Sequence, residues 1–155
     1  MRYFLLDRVL ELVPGERARG VKAVTLTDET LHDHFPDHPI LPGALVIEAG
    51  AQLGGFLLEM SGVPPRHRAV LVQIDKAKLK GPAIPGDRIV FDATLVSRLE
   101  TAARVDVEAH VDDKPIARAQ LTFMLQDVAS ERVHEQRRAL YRIWTRDLDP
   151  DLVLP

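Results

Sequence analysis

Apolar and polar residues alternate along most of the chain, and two longer runs interrupt the alternation. Residues 2–11 and 17–27 read as two strands around the turn VPGER, where Pro14-Gly15 marks a reversal. Within the second, VKAVTLT has the period-two pattern of a half-buried strand. Residues 28–43 are dense in Asp, His and Pro and predict a loop. The first long run, 44–60, is too extended for a typical strand. Gly43 opens it, Gly62 and Pro64-Pro65 stop it, and it predicts a helix. Four strand-like stretches follow at 69–80, 87–99, 102–111 and 115–126, with turns at IPGD (84–87) and DDK (112–114). Residues 129–148 predict a second helix with Ser130 as its N-cap. Two strands, a helix, four strands and a helix favour an α+β fold with an antiparallel sheet.

The first helix is apolar nearly all round. From Ala44 to Leu58 only Glu48 and Gln52 are polar. Such a helix is buried on most sides. Gly50, Gly54 and Gly55 cost helix propensity, which predicts close backbone approach to a wrapping sheet or to a second copy of the helix. The second helix carries Val133, Arg137, Leu140, Tyr141, Trp144 and Leu148 on one face, apolar apart from Arg137. That face is expected to cover the sheet or a neighbouring subunit, with Trp144 as its anchor.

The 155 residues suit one domain, with 129–155 as a helical extension of a unit spanning 1–128. Twenty basic and 23 acidic residues give a formal net charge of −3, which argues against nucleic acid as the main partner. Cysteine is absent, so thiol nucleophiles, disulfides and thiolate metal sites are excluded, in keeping with a cytoplasmic location. No apolar segment reaches the roughly 18–20 residues of a membrane span.

Glu48 and Gln52 stand at i and i+4 and share a helix face. A carboxyl in apolar surroundings tends to keep its proton and can serve as a general acid. A structural Glu bonded to loop backbone would show the same pattern. Upstream, Pro36, Pro39 and Pro42 stiffen a loop that holds His34, a residue type suited to proton transfer, with His32 and His38 as competitors. The three histidines fit no helical ligand pair, so no metal is expected. The prolines also match a polyproline ligand, but they lead straight into a buried helix. Gly43 opens that helix, and its N–H can meet a ligand oxygen closely. A base, an oxyanion donor and an acid are the parts for removing a proton α to a carbonyl while expelling a β-hydroxyl.

The segment HFPDHPILPGALVIEAGAQ closely resembles the signature of the β-hydroxyacyl-acyl-carrier-protein dehydratases, of the type with Glu on the helix. The pattern H-F-P-x-x-P-x-x-P-G-x-x-x-x-E-x-x-x-Q is matched at every fixed position, and the likeness extends over roughly residues 2–126. The resemblance implies the hot-dog fold, a curved antiparallel sheet wrapped around a long central helix, here with an extra C-terminal helix. It implies a homodimer or a trimer of dimers, with active sites where two subunits join their sheets. His34 would be the catalytic base and Glu48 the catalytic acid, contributed by different subunits. Gly43 and Gln52, with Phe35 and Pro42, would bind or orient the substrate. The reaction would be syn elimination of water from a 3-hydroxyacyl thioester, with no cofactor. Its substrate would arrive on the phosphopantetheine arm of acyl carrier protein. Leu79 stands where the family often has Phe. A hot-dog acyl thioesterase, or a non-catalytic acyl-binding subunit of a synthase complex, are the alternatives.

An acidic carrier protein needs a local basic patch on a net-negative chain. Lys76, Lys78 and Lys80 alternate along one expected strand, and Arg66 and Arg68 precede it. These five are the expected docking cations, with an ordinary solvated face as the bland alternative.

Overall fold

The computed structural model describes residues 3–155. Strands β1 (Arg8–Val13) and β2 (Arg17–Ala23) form a hairpin. A loop with a short 3-10 turn at Glu29–Leu31 leads to helix α1 (Gly43–Glu59). Strands β3 (His67–Leu79), β4 (Arg88–Arg98), β5 (Ala102–Val111) and β6 (Lys114–Asp127) follow, then helix α2 (Glu131–Trp144). The six strands make one antiparallel sheet in the order β1-β2-β4-β5-β6-β3. This is the expected α+β hot-dog architecture. No helix among the described residues is long and apolar enough to cross a membrane.

Alternation aims one face of the sheet at α1. Val105 and Val107 of β5, and Leu121, Phe123 and Leu125 of β6, are buried there. They meet Leu53, Phe56 and Leu57 of the helix in one continuous core. Gly50 is the point of closest approach: a Cβ added to it would lie 2.4 Å from Val107 Cγ1. The helix glycine therefore answers to the sheet, and its propensity cost is offset by the depth at which the helix can seat.

One local expectation is corrected. The first strand begins at Arg8, not at residue 2, which lies outside the described residues. Residues 3–5 cross α1 instead, because Gln52 needs polar partners on an apolar helix and takes them from this backbone. Ser130 does occupy the N-cap of α2, but its hydroxyl makes no capping bond. The apolar stripe of α2 packs on the central helix, on the chain entering β1 and on β1 itself, the edge strand of the sheet. Trp144 Nε1 donates to the Leu6 carbonyl at 2.9 Å, and Phe56 meets Tyr141 and Trp144 edge to face. The physical reason is that α1 is apolar on both sides, and the sheet covers only one of them.

A polar network lies beneath this helix pair. Glu59, 3% exposed, accepts from Arg68 Nη1 at 3.3 Å, from the Ala69 N–H at 3.1 Å and from the Tyr141 hydroxyl at 2.7 Å. Burial, and next the Glu59 carboxylate, hold the Tyr141 phenol well above its ordinary 10.0. A folded-state value above the unfolded one means stabilisation that is complete below about pH 10 and lost as pH climbs past it. Tyr141→Phe should cost about 1–2 kcal/mol at neutral pH, because a buried carboxylate loses a donor. In urea titrations the gap between wild type and variant should close above pH 10. A gap that stays constant with pH would remove Tyr141 from the network.

Strand β3 is an edge strand paired only with β6, and it departs from regular alternation twice, between Leu71 and Gln73 and between Asp75 and Lys78. Along it Val70, Val72 and Ile74 are 39–50% exposed, and Met124 lies exposed opposite Val70. A long apolar edge of this kind is unusual on a chain that stays alone.

Candidate active site

Each part of the site is held by a local device. The loop folds back on itself through mutual bonds between Phe35 and His38 and an Ile40 N–H to His34 carbonyl bond of 2.9 Å. Asp37 turns the corner at φ 62°. His34 Nδ1 lies 3.0 Å from the Ile40 carbonyl. A carbonyl can only accept, so Nδ1 carries the proton and Nε2 presents its lone pair. Phe35 stacks on the imidazole with ring centroids 4.2 Å apart. His32 and His38 are exposed.

Pro42 heads α1, and its carbonyl accepts from Leu45 and Val46. Gly43 is the first helical residue, so its N–H belongs to the unpaired first turn. Leu79 closes over it: a Cβ on Gly43 would meet Leu79 Cδ1 at 2.2 Å.

Glu48 lies one turn and a half further along α1. Gln52 Nε2 donates to Glu48 Oε1 at 3.0 Å and to the Tyr3 carbonyl at 3.1 Å, while its Oε1 accepts the Leu5 N–H at 3.0 Å. These bonds use both amide hydrogens and the oxygen, so the orientation of Gln52 is fixed. It gives Glu48 a donor at one oxygen and leaves Oε2 free. In the single chain Glu48 is half-buried, less enclosed than the apolar run alone predicts.

Glu48 lines two adjoining hollows. One, about 310 Å³, has Tyr3, Phe4, Gln52, Arg137 and Leu140 among its walls. The other, about 270 Å³, runs between α1 and β3 past Ala51, Gly55, Leu71 and Tyr141 to Glu59. His34 lines neither. The chain thus brings Glu48 and Gln52 together and keeps His34 apart from them. A larger hollow of about 580 Å³ lies among Arg19, Asp92 and His110 and holds none of these residues.

The basic residues separate. Arg68 is 4% exposed and ion-paired to Glu59, so it is no docking cation: an arginine nine residues from a buried carboxylate was recruited as its counter-charge. Lys76, Lys78, Lys80 and Arg66 are exposed. The bulge between Asp75 and Lys78 interrupts their simple alternation. Two residues beside Glu48 escaped the sequence reading of the site, Tyr3 and Arg137. Arg137 did carry a signal, as the one charge on the packing face of α2.

Sheet, central helix and helix-borne carboxyl define a hot-dog protein. Residues 1–120 match the model of the FabA-like domain. The chain is 36% identical over 131 residues to the 3-hydroxyacyl-[acyl-carrier-protein] dehydratase FabZ of Sulfurovum sp. (strain NBC37-1), covering 81% of this chain and 88% of that protein. The chain belongs to the FabA-like family. Solved structures share the fold at lower identity. The Streptococcus mutans protein smu.793 bound to acetyl CoA has a TM-score of 0.65 at 19% identity, covering 84% of this chain and 96% of that one. A hypothetical thioesterase with coenzyme A from Streptococcus pneumoniae gives 0.62 at 14%, covering 79% and 88%.

Proposed function

We propose that this chain dehydrates 3-hydroxyacyl thioesters carried on acyl carrier protein to trans-2-enoyl thioesters, in the biosynthesis of fatty-acid or related acyl chains. The observation that carries the reading is Glu48 held by Gln52 on an otherwise apolar helix of a FabA-like chain. The name of the Sulfurovum relative supports the reaction and the carrier-protein substrate.

In this mechanism His34 Nε2 takes the C2 proton, and the C2–H electron pair becomes the second C2–C3 bond. The C3–O bond breaks, and Glu48 Oε2 gives its proton to the departing hydroxyl, which leaves as water. The Gly43 N–H donates to the thioester carbonyl oxygen as negative charge develops there. Proton return from His34 to Glu48 resets the pair. The active form is a homodimer joined along β3, with His34 of one copy facing Glu48 of the other. The bare β3 edge and the absence of His34 from the Glu48 hollows support this arrangement. Lys76, Lys78, Lys80 and Arg66 are the cations left for carrier-protein docking, and the location we assign is the cytoplasm.

Incubation with 3-hydroxybutyryl-carrier protein, followed by mass spectrometry, should give loss of one water with the thioester intact. Release of free thiol instead would mark a thioesterase and overturn the reading.

A further inference from the structure

Arg137 is half-buried and lines both hollows beside Glu48. Within the single chain, among the described residues, its guanidinium has no ion pair and no hydrogen bond. The other arginines in that condition, Arg88, Arg104, Arg118, Arg132 and Arg142, are all exposed. A half-buried guanidinium favours an anionic partner with which it can form charge-assisted hydrogen bonds. The nearby carboxylates do not supply one. Glu59 already accepts from Arg68, Ala69 and Tyr141. Glu48 accepts from Gln52 and forms no ion pair with Arg137.

The hollow between α1 and β3 has the shape of a slot. Glu48, Ala51, Gln52, Gly55 and Glu59 form one stripe along the helix, and Ala69 and Leu71 face it. Eleven residues of helix separate its two carboxylates, about 16 Å. Ala51 and Gly55 carry the least side-chain bulk on this stripe. Arg137 and, one turn on, Tyr141 form its α2 wall. The charge of Arg137 is felt at the Tyr141 hydroxyl, which locates the guanidinium toward the Glu59 end as well. An acyl chain whose C3 hydroxyl sits at Glu48 and whose tail follows the slot therefore passes a cation that lacks an anion. Arg68 neutralises Glu59 at that end, so an incoming anion meets no net repulsion from it.

Resting on the dehydratase reading above, we propose that Arg137 receives a carboxylate on the distal part of the acyl chain. The substrate class is then a 3-hydroxyacyl thioester of a dicarboxylic acid rather than one ending in methyl.

The test compares two 3-hydroxyacyl thioesters of equal carbon number on the same carrier protein, one ending in carboxylate and one in methyl. The readout is the ratio of their kcat/KM values, which general damage to the protein does not move. Wild type should favour the carboxylate by about tenfold or more, the scale of one charged hydrogen-bonded contact. Arg137→Leu should erase that preference, chiefly through KM, and Arg137→Lys should keep part of it. An equal ratio in wild type and Arg137→Leu overturns the proposal, including the case where both substrates slow together because Arg137 serves the shared arm or Glu48. Wild-type dehydration without a preference overturns this inference alone. Dehydration of neither substrate overturns the dehydratase reading with it.

Discussion

Glu48→Gln and His34→Ala should each cut dehydration by ~10²-fold or more while leaving a folded protein, the scale of lost general acid or base catalysis. Glu48→Gln keeps an oxygen for the Gln52 amide to bond, so the helix face stays intact and only the transferable proton is lost. His34→Ala removes the Nε2 lone pair that the Ile40 carbonyl exposes by holding the proton on Nδ1. Single-turnover mass spectrometry on 3-hydroxybutyryl-carrier protein is the direct measurement. Near wild-type turnover in either variant would take that residue out of the mechanism. Mixing the two inactive proteins adds a second reading. If each site takes one residue from each copy, hybrid dimers contain one intact pair and activity returns in part. No recovery, with subunit exchange demonstrated, would argue for sites built within one chain.

Arg68→Ala should lower the free energy of unfolding by about 3–5 kcal/mol, because it strands the Glu59 carboxylate in the core. Against a typical stability of about 5–15 kcal/mol, that is a large share. Neutralising the stranded charge should reverse most of the loss. Arg68→Met combined with Glu59→Gln keeps an amide oxygen for the Ala69 N–H and an amide NH2 that can donate to the Tyr141 hydroxyl oxygen, and an apolar side chain fills the arginine's place. Equilibrium urea unfolding of the single and double variants measures both steps. A single variant that costs under about 1 kcal/mol would mean that Glu59 is served by water and that the ion pair is incidental.

The sequence pattern made the order of strands and helices legible because burial alternates along β5 and much of β4 and β6, and α1 is apolar nearly throughout. Glu48 and Gln52 were legible for a local reason: i and i+4 share a face whatever the tertiary structure. The Glu59 network was not, because its partners lie nine and 82 positions away and no periodicity links them. Glu59 also ends the apolar run, where a helix normally reaches water, so nothing marked it as buried. Arg68 was misread for the same reason, as a surface cation in a basic stretch. The Tyr3–Leu5 segment looked like strand because strand and clamp share the same apolar composition. Only the need of Gln52 for partners distinguishes them. The β3 bulges left no local signature either, since Val72 and Lys76 suit a regular strand as well as a displaced one.

Strand β3 also bears on how the protein comes to exist in a cell. A newly made chain that has finished folding still presents a bare strand edge flanked by Val70, Val72 and Ile74. Any extended apolar segment can dock there, including one from an unfinished neighbour. In the homodimer proposed above, capture by a second finished copy is bimolecular, so its speed rises with the local concentration of product. Translation of many chains from one message would supply that concentration, and slow, dilute synthesis would leave the edge waiting for chaperones or for aggregation.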